Sequence, residues 1–144
     1  MRTALIAVDD SEVSLRAVRW FAGFARGVPA MQAVLMNVEP TLPFVDRLVG
    51  GSPAEERQFA APLREKAERL LAAVSAEFDR ARIPYTTAVE FGDPAERIVA
   101  AARRMSADLI VIAPGRRSAL EKLLLGSVAQ KVLQQAELPV LLVK

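Results

Sequence analysis

The chain has 144 residues, 52% apolar and 25% charged, which fits one globular domain spanning residues 1–144 and excludes a disordered, collagen-like or low-complexity chain. It holds no cysteine and no histidine, so disulfides, thiol nucleophiles, zinc sites built on imidazole or thiolate, a Ser-His-Asp triad and a histidine pH switch are all excluded. Its 19 basic and 17 acidic side chains leave a formal charge of +2, too small an imbalance to point to a nucleic-acid partner.

Thr3 to Val8 is a short apolar, partly β-branched run that predicts a first strand, and Asp9-Asp10-Ser11 ends it with residues that favour a helix N-cap. Ala17, Val18, Phe21, Phe24 and Ala25 then recur on one helical face over Ser14 to Ala25, with Gly27 suited to the C-terminal cap. Ala33 to Val38 reads as a second strand. From Glu39 to Gly51, Pro40, Pro43 and Gly50-Gly51 break a stretch without steady period and predict a long loop beside that strand's end.

Ser52-Pro53-Ala54-Glu55 has the form of a capping box with proline at the first helical position, and Pro62 is expected to kink or interrupt the helix that starts there. Beyond it Leu63, Ala67, Leu70, Leu71, Val74 and Phe78 make an apolar stripe. Tyr85 to Phe91 alternates, with one face partly polar, as an edge strand does. Gly92-Asp93-Pro94-Ala95-Glu96 supplies a turn and cap for a helix that turns Ile98, Val99, Ala102 and Met105 inward. Asp108 to Ala113 lacks alternation and predicts a strand buried on both faces. Pro114 to Gly126 is a connection, Ser127 to Ala136 a short helix and Pro139 to Val143 a last strand. Trp20 and Tyr85 read as packing aromatics, and Arg97, Arg103 and Arg104 as the solvated side of a helix.

Strands alternating with helices imply parallel pairing through right-handed crossovers. The expectation is a three-layer, doubly wound, Rossmann-like α/β sandwich whose five-stranded parallel sheet runs in the order 3-2-1-4-5. The apolar runs Leu109 to Ala113 and Val140 to Val143 fall far short of the roughly 20 residues of a membrane span. The opening Met1-Arg2-Thr3 has no signal-peptide pattern, so the expected location is cytoplasmic, away from membranes.

Ligands of such a sheet sit beyond the carboxyl ends of the strands where the winding reverses, which places Asp9 opposite the loop after Ala113. Asp9 serves equally as an acceptor for ribose hydroxyls or as part of a helix cap. Gly126-Ser127, followed by Val128, opens the last helix, where free N–H groups and the helix dipole favour a phosphate; an ordinary glycine turn with a serine cap has the same sequence. Arg116, Arg117 and Lys122 are either phosphate ligands or a solvated basic loop. Leu123-Leu124-Leu125 reads as packing against the sheet or a partner subunit.

Taken together, the opening ALIAVDDSEVSLRAVRW, the middle GDPAERIV, the segment Ala113 to Ser127 and the ending ELPVLLVK resemble the universal stress protein family over essentially the whole chain. The resemblance implies the sandwich described above, homodimers paired through the last strand, here Pro139 to Val143, and ATP binding in some members. The binders carry Gly-x-x-Gly, a nine-residue spacer and Gly followed by Ser or Thr. This chain keeps Gly126-Ser127 and the nine-residue spacing (117–125) but reads Ala113-Pro114-Gly115-Arg116 where the binders have Gly-x-x-Gly. Gly115 lies one place away from the second glycine, and Arg116 either fills the phosphate pocket or brings a replacement charge.

By similarity Asp9 matches the family's ribose or adenosine contact, and Val38 the strand-two position whose backbone meets adenine. The implied ATP site is therefore Asp9, Val38, Ala113, Gly115, Arg116, Gly126, Ser127 and Val128. Three functions follow as expectations: a stress-response dimer with a weakened ATP pocket; a dimer that binds no nucleotide and acts through contact with an unknown protein; and, last, a slow ATPase or nucleotidyl transferase. The last lacks an evident base, since without histidine only carboxylates, Lys122 or the arginines remain.

Overall fold

The structure, a computed structural model, describes residues 2–40, 53–115 and 125–144. Its elements are β1 (Arg2–Ala7), α1 (Glu12–Ala25), β2 (Met31–Glu39), α2 (Pro53–Ala81), β3 (Tyr85–Phe91), α3 (Pro94–Arg104), β4 (Leu109–Ile112), α4 (Ser127–Gln135) and β5 (Val140–Leu142). Every strand pairing is parallel, and the five-stranded sheet runs β3-β2-β1-β4-β5. The expected fold class and strand order are those observed.

Two apolar layers cover the sheet. Strand alternation sends Ala4, Ile6, Leu35 and Val111 to the face packed by α1 and α2, through Val18, Phe21, Leu71 and Phe78. It sends Leu5, Met36, Ile110 and Ile112 to the other face, under Ile98 and Ala102 of α3 and Val132 of α4. The central strands are buried on both faces because helices lie on both. At the edge, Thr86 and Thr87 of β3 are exposed, one on each face of the strand, in keeping with the edge position that the sequence implied.

Several local expectations need correction. Proline at position 62 does not interrupt α2, which runs unbroken from Pro53 to Ala81. Pro62 and Gln58 are both exposed, so water can satisfy the carbonyl that loses its helical donor. Trp20 and Phe24 do not pack into the core: they are 47% and 48% exposed and stack on each other with centroids 5.3 Å apart. Four residues apart, they share one helical flank turned away from the sheet. Tyr85 does pack, tilted against Phe78 at 6.0 Å. Leu63, first of the expected stripe, is 39% exposed, whereas Ala67, Leu71, Val74 and Phe78 are buried. β2 starts at Met31 rather than Ala33, and β4 and β5 are each shorter than expected by a residue at either end. Among the described residues no helix is long and apolar enough to cross a membrane.

Candidate functional site

β1 is flanked by β2 on one side and β4 on the other, so the winding reverses at β1 and a crevice opens beyond the carboxyl ends of these strands. The register shows how. Pairing of β1 with β2 ends at Ala7↔Met36, while β2 continues through Asn37, Val38 and Glu39 beside β3. The cleft so formed has a volume of about 1060 Å³. Its apolar walls come from Met36 and Val38 of β2, Ile112 of β4, Pro94 and Ile98 of α3, and Leu125. Its polar groups are Asp9, Ser14 and Ser127.

Asp9 is held by the turn that starts α1. Its Oδ1 accepts from the Ser11 N–H at 2.7 Å, and its own N–H donates to Ser14 Oγ at 2.9 Å. Ser11, not Asp9, caps the helix, its hydroxyl accepting from the Ser14 N–H at 3.3 Å. A carboxylate has about four acceptor positions, so Asp9 fixes the turn with one oxygen and still faces the cleft as an acceptor. It is the sole ionisable group among the described lining residues.

Across the cleft lies the start of α4. α1 and α3 are capped by the side chains of Ser11 and Asp93, but α4 begins at Gly126 with no side-chain cap and no acidic residue in its first turn. Its first-turn N–H groups and the Ser127 hydroxyl therefore face the cleft with the positive end of the helix dipole behind them. Such a terminus accepts an anion.

The glycines at the two ends of the connection before α4 touch each other. Gly115 has φ +112°, and a Cβ placed on it would lie 3.1 Å from Gly126 Cα. A Cβ on Gly126 would lie 2.9 Å from the Pro114 carbonyl oxygen, which also accepts a hydrogen bond from the Gly126 N–H. Gly115 is thus required by its backbone conformation and Gly126 by the close approach of a neighbouring chain segment. Among the described residues no cluster of carboxylates is placed to hold a metal ion.

The universal stress protein family model matches residues 1–144. The chain belongs to the universal stress protein family. A relative named universal stress protein MJ0531, from Methanocaldococcus jannaschii, is 34% identical over 142 residues, covering 97% of this chain and 80% of its own. The solved structure of protein MJ0577 superposes with a TM-score of 0.83 at 24% identity, over 99% of this chain and 95% of that one. A universal stress protein from Archaeoglobus fulgidus, solved in complex with dAMP, superposes with a TM-score of 0.70 at 21% identity, over 100% and 98% of the two chains.

In this universal stress protein, Asp9, Val38, Ala113, Gly115, Gly126, Ser127 and Val128 all line the one cleft. Arg116 lies outside the described residues, as do Arg117, Lys122 and the expected loop from residue 41 onward. Leu125 is on the cleft wall, not reserved for packing, while Leu123 and Leu124 are outside the description. Sequence reasoning missed Ser14, Met36 and Ile98. Met36 was within reach, since strand alternation puts it on the same face as Val38. Ser14 had the signal of a hydroxyl in the first turn after the strand. Ile98 had none beyond its inward position on α3.

Proposed function

We propose that this universal stress protein is a stress-response domain that binds an adenine nucleotide, ATP, across the cleft. Asp9 accepts from the ribose hydroxyls, the Val38 backbone meets the base over the apolar wall, and the first turn of α4 with Ser127 holds phosphate. The observation that carries this reading is the convergence of a fixed carboxylate, an open strand edge and an uncapped helix start on one cleft. The dAMP complex of the structural neighbour supports it. Arg116 supplies charge where the binders have a glycine; the altered Ala113-Pro114-Gly115-Arg116 stretch weakens binding by about 1–3 kcal/mol, roughly ten- to a hundredfold. We further propose that the protein is cytoplasmic and a homodimer through Pro139 to Val143, whose strand β5 lies at a sheet edge.

Equilibrium titration of the nucleotide-stripped protein with ATP tests the reading. The expected result is saturable binding that Asp9→Ala weakens at least about tenfold, the loss of one good charge-assisted contact. The altered glycine stretch favours a second reading, a dimer that works by protein contact without nucleotide. No binding by the parent, with binding restored in Arg116→Gly, would establish it.

A further inference from the structure

Asn37 is a buried polar residue, 4% exposed, on the β2 face that carries Ala33 and Leu35 toward α1 and α2. It is turned away from the cleft, which Met36 and Val38 line from the opposite face. Its Nδ2 donates to the Val8 carbonyl at 2.8 Å, and its Oδ1 is buried without a hydrogen-bond partner. A buried amide with an orphaned oxygen costs stability, and an apolar residue would suit this core position better.

The ladder explains what the amide does there. The Val8 N–H donates to the Met36 carbonyl at 2.8 Å. In a parallel ladder that continued, the next bond would run from the Val38 N–H to the Val8 carbonyl. That carbonyl is instead occupied by the Asn37 side chain, and the β1 register stops at Ala7↔Met36 while Val38 remains paired with Glu90 on the β3 side. We infer that Asn37 is a positioning residue for the cleft: its amide takes the Val8 carbonyl in place of the Val38 N–H, so that this N–H is presented to the ring-nitrogen acceptor of a planar heterocycle lying on the Val38 wall. The inference rests on the nucleotide reading for the identity of the ligand. The side-chain substitution in the ladder stands without it.

The test uses the full chain, ¹⁵N-labelled, with Asn37→Val and Asn37→Leu, the second of nearly asparagine's shape, neither of which can donate to Val8. In the free parent the Val38 amide is expected to exchange with solvent much faster than the Met36 amide; in Asn37→Val the ladder closes and Val38 becomes protected. Adenosine and ATP are expected to bind Asn37→Val at least about tenfold more weakly, a change of about 1.4 kcal/mol, without loss of thermal stability, and Asn37→Leu to show the same loss. A purely structural Asn37 would lower stability and leave affinity and Val38 protection unmoved, which overturns the proposal. A Val38 amide already protected in the parent overturns it too. If the parent binds neither ligand, the nucleotide reading fails, and the exchange of Val38 still decides the role of Asn37. Should Asn37→Val not fold, Asn37→Leu and the parent carry the same comparison.

Discussion

Gly115, Gly126 and Gly23 are chemically identical and predict different responses to one added methyl group. At Gly126 the methyl meets the Pro114 carbonyl at 2.9 Å, and at Gly115 it is added to a backbone with φ +112°. Gly115→Ala and Gly126→Ala are each expected to cost about 1–3 kcal/mol and to weaken nucleotide binding, since both distort the approach to α4. Gly23 lies in α1 with nothing within 4 Å of its would-be Cβ. Gly23→Ala should therefore stabilise the protein by about 0.5–1 kcal/mol. Urea unfolding of the three variants checks all of this; a destabilised Gly23→Ala would contradict the packing described for α1.

Among the elements, α2 carries the clearest test. Pro62 sits at an exposed position of an unbroken helix, where proline forfeits a backbone bond and crowds the preceding turn. Pro62→Ala is expected to raise stability, by up to about 3 kcal/mol, and a thermal melt that falls would show that Pro62 has a packing role. The exposed Trp20–Phe24 pair makes the opposite point. Truncating Phe24 to Ala should cost under about 1 kcal/mol, against roughly 3–5 for the fully buried Phe78. Element type and order were legible throughout, because apolar spacing in α1 and α3 follows the helical period and the runs at β1 and β4 do not alternate. Three things were not legible. Phe24 lies at the edge of the apolar stripe, where periodicity does not fix the burial of a large ring. Pro62 is tolerated because its neighbourhood is solvent, which depends on the tertiary arrangement. The pinching of Gly115 against Gly126 requires two segments eleven positions apart to touch, which is a property of the folded chain. That Asp9 and Ser127 line the cleft was legible because doubly wound sheets put ligands at strand ends and helix starts attract anions, whereas Val38 was reached only through the family resemblance.

For the molecule as a whole, the sheet has two edges, β3 and β5. β5 is short and apolar, and the proposed dimer would continue the sheet through its unpaired backbone groups. Sedimentation equilibrium at micromolar concentration is expected to give twice the 15.6 kDa chain mass, and a monomer would remove the dimer from the proposal without touching the cleft. The cleft itself is the centre of the proposal: three strand ends and one helix start, arranged by a single reversal of winding, would hold base, ribose and phosphate in one site. The measurement that tests it most directly is a titration of the ¹⁵N-labelled, nucleotide-stripped protein with ATP, followed by amide chemical shifts. The account predicts saturable shifts concentrated at Val38, Asp9 and the first turn of α4, Ser127 to Ala129, with the amides of exposed α1 residues such as Arg16 and Trp20 unmoved. Saturable shifts gathered elsewhere, or none at millimolar ATP, would contradict it.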